Sequence, residues 1–201
     1  MNVTWITQRW TSGDEARDAE LAKCRDLNRS LFGTGYVAIG YHDERTTWGD
    51  LMQRSGPGIN IIANSDIYTS SHAVSAITGF YSKPANANVC MALSRWDVGP
   101  DGVTAKLYDH RDSQDAWVYL GKPPKALIEA ALHVPMGIPG CDNRLCRLFA
   151  DHGYTVINPS RTVRMFHLHN SGYRTYGKGR GGAKAELVLP PYLFVKTTAL
   201  T

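Results

Sequence analysis

The sequence predicts an α/β domain with a mostly parallel, mixed sheet flanked by helices. Three observations predict it. The run Ile59-Asn60-Ile61-Ile62-Ala63 is nearly all apolar, as strands covered on both faces are. Strand and helix patterns alternate over residues 3–67, the order that builds a doubly wound sheet. Polar residues gather where the first three strands end, at Gln8-Arg9, His42 to Arg45 and Asn64-Ser65-Asp66. Open sheets of this kind bind ligands beyond the carboxyl ends of their strands.

The elements follow in order. Val3 to Thr7 reads as a short buried strand, and Ser12-Gly13-Asp14-Glu15 fits a capping box with Ser12 as N-cap. Leu21, Cys24, Leu27 and Leu31 then recur at helical spacing. Gly33 and Gly35 end that helix, Tyr36 to Gly40 is a second strand, and Trp48 to Arg54 forms a helical turn or two. Ile59 to Ile67 is expected as one strand. Val89 to Ser94, Thr104 to Tyr108 and Ala116 to Leu120 read as further strands, with Pro123-Pro124 and Pro135 to Gly140 as loops. A helix is expected from about Asn143 to His152, closed by Gly153. Tyr154 to Asn158 and Val163 to His169 complete the strands.

Composition narrows the function classes. The 201 residues suit one domain, and 43% hydrophobic content is enough for a sizeable core. The net charge of +4 is too weak to argue for nucleic acid, whose footprint needs clustered cations. The one basic cluster is Arg174, Lys178, Arg180 and Lys184, set among glycines. It reads as a solvated loop or as a lid over a phosphorylated ligand. No apolar run is long enough to span a membrane, and Met1 to Thr7 lacks the pattern of a signal peptide. A cytoplasmic protein is therefore expected. Cys24, Cys90, Cys141 and Cys146 show no zinc-like pairing and read as free thiols.

Several positions carry chemistry. A hard cation such as Mg²⁺ or Mn²⁺ takes one or two carboxylates plus substrate phosphates. Asp66, at the end of a buried strand, is placed to hold one; it also suits a cap on the following turn. His167 and His169 share one face of a strand, and imidazole ligands favour Mn²⁺ over Mg²⁺. A plain pair of strand histidines is the alternative. Asp142 is the candidate general base, with Asp115 its rival, although Asp142 or Asn143 would also serve as a helix N-cap. Arg144, Arg174 and Lys178 are candidate cations for phosphate charge.

Three blocks together resemble the GT-A class of nucleotide-sugar-dependent glycosyltransferases. Ile61-Ile62-Ala63-Asn64-Ser65-Asp66-Ile67 is similar to the strand leading into that class's Asp-X-Asp motif. Gly140 to Tyr154 resembles the acidic loop and helix that carry the base of inverting members. Thr155 to Ser160 with Val163 to His169 resembles the segment that supplies a late metal-binding histidine. The compact size is also similar to the small capsid-modifying glycosyltransferase domain of chlorella viruses. The sequence departs from the pattern twice: Asn64 stands where a first acidic residue is usual, and Cys141-Asp142 replaces a Glu-Asp pair.

The resemblance implies a single GT-A-like, Rossmann-like domain over 1–201, with residues 1–67 as the nucleotide-binding half. Residues 68–201 would be the acceptor and metal-completing half. Thr7, Gln8, Arg9 and Asp43 would face the nucleoside, and Asn64, Ser65 and Asp66 the ribose and the metal. Arg144 and Lys178 would contact the donor, and Tyr176 to Lys184 would close over the diphosphate. Asp66 with His167 or His169 would hold Mn²⁺ or Mg²⁺. Asp142 would deprotonate the acceptor, giving inversion. The expected enzyme is a hexosyl- or deoxyhexosyltransferase that uses a nucleoside-diphosphate sugar, with UDP the leading nucleotide, and a glycan or glycoprotein acceptor. Two other readings compete. A polyanion-binding module would use the basic Gly-rich stretch, but that stretch lacks repeated aromatic platforms. A sugar-phosphate nucleotidyltransferase would need a Gly-rich phosphate loop after the first strand, where Gln8-Arg9-Trp10 stands instead.

Overall fold

A computed structural model describes residues 1–40, 45–173 and 187–200. Its centre is a six-stranded sheet in the order β2-β1-β3-β8-β5-β9. The strands are β1 (Val3–Arg9), β2 (Tyr36–Gly40), β3 (Ile59–Ala63), β5 (Val89–Leu93), β8 (Ala116–Leu120) and β9 (Thr155–Ile157). β8 runs antiparallel to both its neighbours, and the other pairings are parallel. The expected mostly parallel, mixed sheet flanked by helices is what the chain forms. β3 is buried at every position, as its unbroken apolar run requires. Its one polar residue, Asn60, is satisfied by the backbone of Gly56, Gly58 and Gly121.

A second sheet has the order β4-β10-β6-β7, from Ile67–Thr69, Met165–His167, Arg95–Val98 and Ala105–Leu107. The expected single strand over 59–67 is therefore two strands in two sheets. Asn64 to Asp66 is the turn between them, closed by the Ile67 N–H on the Asn64 carbonyl at 3.2 Å. The polar tripeptide after a both-sides-buried strand has to leave the core, and it does so by passing the chain to the smaller sheet.

Two apolar layers cover the large sheet. On one face Ile6, Ile62, Trp117 and Tyr119 pack with α2 (Trp48–Gln53), α4 (Lys125–Ala131) and α5 (Cys141–Asp151). On the other, Trp5, Ile61, Met91 and Val118 pack with α3 (Ser71–Tyr81). Neither α3 nor α4 is expected from the sequence. Only Ala73, Ile77 and Tyr81 of α3 are buried, a narrow stripe among Ser, Ala and Thr. In α4 the two prolines that suggest a loop instead open the helix, where proline costs no hydrogen bond.

The first helix, α1 (Glu15–Phe32), corrects two details. Its N-cap is Asp14, which accepts from the Arg17 N–H, and not Ser12. Ser12 instead donates through its hydroxyl and N–H to Asp18. The buried stripe is Arg17, Leu21, Cys24 and Asn28, while Leu27 is 40% exposed. The polar members of that stripe belong there because α1 packs against polar backbone: the Asn28 amide donates to the Ile67 carbonyl at 2.8 Å. Among the described residues no helix is long and apolar enough to cross a membrane.

Candidate active site

The carboxyl ends of β1, β3 and β5 lie along one edge of the large sheet. Because β8 runs the other way, its amino end reaches the same edge and brings Asp115 there. The Asp115 N–H donates to the Leu93 carbonyl, and its carbonyl accepts from the Asn64 N–H, at 2.9 and 3.0 Å. A cleft of about 450 Å³ opens above this edge. Gln8, Trp10, Asn64, Ser65, Asp66, Asp115, Asp142, His167 and His169 are among its walls.

The small sheet builds one side. In it β10 lies between β4 and β6, and its register sets His167 opposite Ile67 on one side and Asp97 on the other. His167 Nδ1 lies 2.8 Å from an Asp97 oxygen, and its Nε2 lies 3.2 Å from Asp66 Oδ2. The same Asp66 oxygen accepts from the Arg17 guanidinium. Arg17 is only 3% exposed and is also bound to Glu20 and to the Leu168 carbonyl, each at 2.9 Å. Burial works to raise the Asp66 carboxyl, but His167 and Arg17 more than reverse it and hold it well below the usual carboxylate range. Burial likewise works against a charged His167, yet Asp66 and Asp97 lift it to about 9.

Asp66, His167 and His169 each offer a ligand atom within 4.8 Å of the others. The donor chemistry suits a divalent cation. Metal-binding histidines characteristically give their second ring N–H to a carboxylate or carbonyl, which fixes the tautomer. Both rings here have that partner. A carboxylate only accepts, so His167 donates from Nδ1 to Asp97 and, in its cationic form, from Nε2 to Asp66. A cation bound at Nε2 would take the place of that second proton while Asp97 keeps the first. His169 donates from Nε2 to the Tyr173 carbonyl, which leaves Nδ1 as its ligand atom. Burial, together with nearby Arg17, holds the His169 ring below the ordinary histidine value, which favours its neutral form.

Helix α5 builds the other side. Its N-cap is Gly140, in the left-handed region at φ 86°, with no side-chain cap. A Cβ there would stand 2.9 Å from both the Tyr192 hydroxyl oxygen and the Val188 carbonyl. Neither Asp142 nor Asn143 is the cap. Asp142 sits in the first turn and accepts from the Gln114 N–H and the Cys141 thiol, both at 3.4 Å. Asn143 ties the helix to the loop before β8 by donating to the Asp112 carbonyl. Burial first, and then the Asp115 charge, push the Asp142 carboxyl up to about 7. The N–H groups of the helix start and of Gln114 oppose this without cancelling it.

The other expected site residues are placed as follows. Thr7 is buried and its hydroxyl donates to the Ala63 carbonyl. Gln8 lines the cleft and Arg9 is exposed. Ser65 accepts from the Trp10 indole N–H at 2.7 Å, which pins that ring at the cleft wall. Arg144 donates to the Pro191 carbonyl away from the cleft wall. Asp43, Arg174, Lys178 and the rest of the basic Gly-rich stretch lie outside the described residues. The four cysteines are free and buried. Burial raises all four thiols, which keeps them from acting as thiolates.

Sequence reasoning misses Arg17, Trp10, Arg95 and Asp97. One signal was present for Arg17: it falls in line with Leu21, Cys24 and Asn28, so a charged group lies on an otherwise inward helical stripe. Arg95 and Asp97 alternate on one strand face, but their strand joins a sheet whose existence the local pattern does not reveal.

The chain is similar to the crystal structure of a glycosyltransferase involved in the glycosylation of the major capsid of PBCV-1. The TM-score is 0.46 at 12% identity, over 82% of this chain and 92% of that one. No protein-family model matches the chain, and no curated protein matches it.

Proposed function

We propose that this chain is a metal-dependent glycosyltransferase acting on a nucleoside-diphosphate sugar, with a hydroxyl of a glycan or glycoprotein as acceptor. One observation carries the reading. Two carboxylates face one cleft in opposite electrostatic settings: Asp66 is held ionised among cations, and Asp142 is lifted to about 7. Titratable groups pushed apart in this way mark separate roles in one reaction. A base is most effective when its pKa lies near the working pH.

In this reading Gln8, Asn64 and Ser65 meet the nucleoside and ribose at the end of the nucleotide-binding half, residues 1–67. Residues 68–201 complete the metal shell and receive the acceptor. Asp66, His167 and His169 hold Mn²⁺, or Mg²⁺ less readily because two ligands are imidazoles. The cation supplies positive charge for the departing diphosphate. Asp142 takes the proton of the acceptor hydroxyl. The acceptor oxygen forms its bond to the anomeric carbon as the carbon–oxygen bond to the diphosphate breaks, and the electron pair leaves with the diphosphate. Asp142 belongs to the α5 side of the cleft and the metal residues to the β4–β10 side, an arrangement that supports attack opposite the leaving group and so inversion. A UDP-hexose or UDP-deoxyhexose is the donor class to test first. The polyanion-binding alternative rests on residues 174–184 and gains no support from the described cleft.

A thermal-shift panel of nucleoside diphosphates, with and without Mn²⁺, tests the donor side. A ligand that binds the folded state raises apparent stability by an amount set by its affinity. A Mn²⁺-dependent shift with one nucleoside diphosphate is expected, and it should vanish in Asp66→Ala. No shift with any of them, alongside salt-sensitive binding to an unrelated oligonucleotide, overturns the reading.

A further inference from the structure

Arg95 opens β6 and lies between the two sides of the cleft, which it helps to line. Its Nε donates to Asp97 Oδ1 at 2.8 Å. Its Nη1 meets Asp115 Oδ2 at 3.3 Å and the Ser113 hydroxyl at 3.1 Å. The guanidinium carbon lies 4.2 Å from the centroid of the Tyr108 ring, so the fork is held against an aromatic face. Each carboxylate it grips has a second task. Asp97 accepts from His167 Nδ1 and so orients its ring. Asp115 accepts from the Asn64 amide at 3.2 Å and is the charge that acts on Asp142.

We propose that Arg95 is a positioning residue that couples the two halves of the cleft, one arm setting His167 through Asp97 and the other restraining the Asp115 charge beside Asp142. The inference rests on the transferase reading for its purpose and on the contacts above for its geometry. A guanidinium suits the task because its donors diverge in a fixed plane, whereas an ammonium is a single point charge. The groups acting on Asp142 are Asp115 and Gln114 from the segment before β8, and Cys141 and the first-turn N–H groups from its own helix. Asp115 is therefore the only charged neighbour among these, and Arg95 is the cation that meets it. Without Arg95 the unrestrained Asp115 charge would hold the Asp142 proton to higher pH, and Asp97 would be free to turn away from His167.

The test uses the full chain and two readouts that need no turnover. Carboxyl-carbon NMR, assigned with Asp115→Asn and Asp142→Asn, follows the titration of the acidic pair. Free-Mn²⁺ titration, with the metal alone as probe, reads the His167 side. In Arg95→Gln the pair should titrate about one pH unit higher, and Mn²⁺ affinity should fall about tenfold, as it does when such an outer partner is lost. Asp97→Asn should weaken Mn²⁺ binding without moving the pair. Asp115→Asn should lower the Asp142 titration and move Mn²⁺ affinity less than Asp97→Asn does, since Asp115 reaches His167 only through its charge. Should Arg95→Gln fail to fold, Arg95→Lys carries the test, with both readouts displaced in the same directions by smaller amounts. A folded Arg95 variant that moves neither readout, or only one, overturns the coupling. If wild type turns over no nucleoside-diphosphate sugar while both readouts move, the transferase reading fails and the coupling stands.

Discussion

Asp66 and Asp142 are the same residue type at opposite sides of one cleft, and their surroundings drive them in opposite directions. Asp66 meets Arg17 and His167 and stays ionised. Asp142 meets burial, a thiol and the charge of Asp115, and its proton is held to about 7. The difference comes from which sheet supplies the neighbours. The small sheet brings His167, and helix α1 brings Arg17, from distant segments to the end of β3. The edge of the large sheet brings a second carboxylate, Asp115, and the Gln114 N–H to the start of α5. In the proposed reading one end gathers positive charge around a phosphate and the other moves a proton.

The comparison breaks most sharply at Asp142. Asp142→Asn should lower transfer by about 10²- to 10⁴-fold, the usual contribution of a general base, while the nucleoside-diphosphate thermal shift persists. Transfer near the wild-type rate would remove Asp142 from the chemistry and leave it a first-turn helix residue.

At the other end, Asp66→Ala leaves the buried Arg17 with Glu20 as its remaining ion-pair partner. Removing one member of a buried pair costs about 3 kcal/mol or more, so a loss near that low end is expected in denaturant unfolding. The double variant Arg17→Met/Asp66→Leu should recover much of it, because an apolar pair of similar volume is often neutral. A double variant as unstable as the single one would mean that Arg17 has a structural role independent of Asp66.

Gly140→Ala sharpens the comparison on the base side. A side chain at φ 86° costs about 1–2 kcal/mol, and the Cβ would press on Val188 and Tyr192. Stability should fall by about that amount and transfer should fall with it, since this residue sets the start of α5. Unchanged transfer would show that the placement of Asp142 tolerates a shifted helix end.

The finest signal is a pH slope. The folded state holds the Asp142 proton up to about 7, whereas the ordinary value is 3.8. Between those values the native state binds more protons than the unfolded state, so this group makes stability fall as pH rises. Asp142→Asn lacks that slope. Its melting temperature relative to wild type should climb from pH 4 to pH 7 and then level off. A difference that stays flat with pH would contradict the raised carboxyl and remove half of the comparison.

Much of this was legible in the sequence. The apolar run of β3, the amphipathic α5 with Gly153 after it and the order of the three blocks all mark positions that the structure brings to one cleft. These are local signals, because a strand buried on both faces and a helix buried along one stripe write their burial directly into residue spacing. Helices α3 and α4 were not legible, since a narrow stripe and a proline pair resemble loop composition. By itself, then, the sequence determined the large sheet's main strands and nominated Asp66, Asp142, His167 and His169. Only the tertiary structure decided that the strand after Ile59 is cut at Asn64 and handed to a second sheet. It also decided that Arg17 reaches Asp66 from 49 residues away and that Asp97 meets His167 across 70. Those contacts depend on which distant strands pair and on which helix covers an edge, and residue spacing along the chain reports burial of a face but not the partner that buries it.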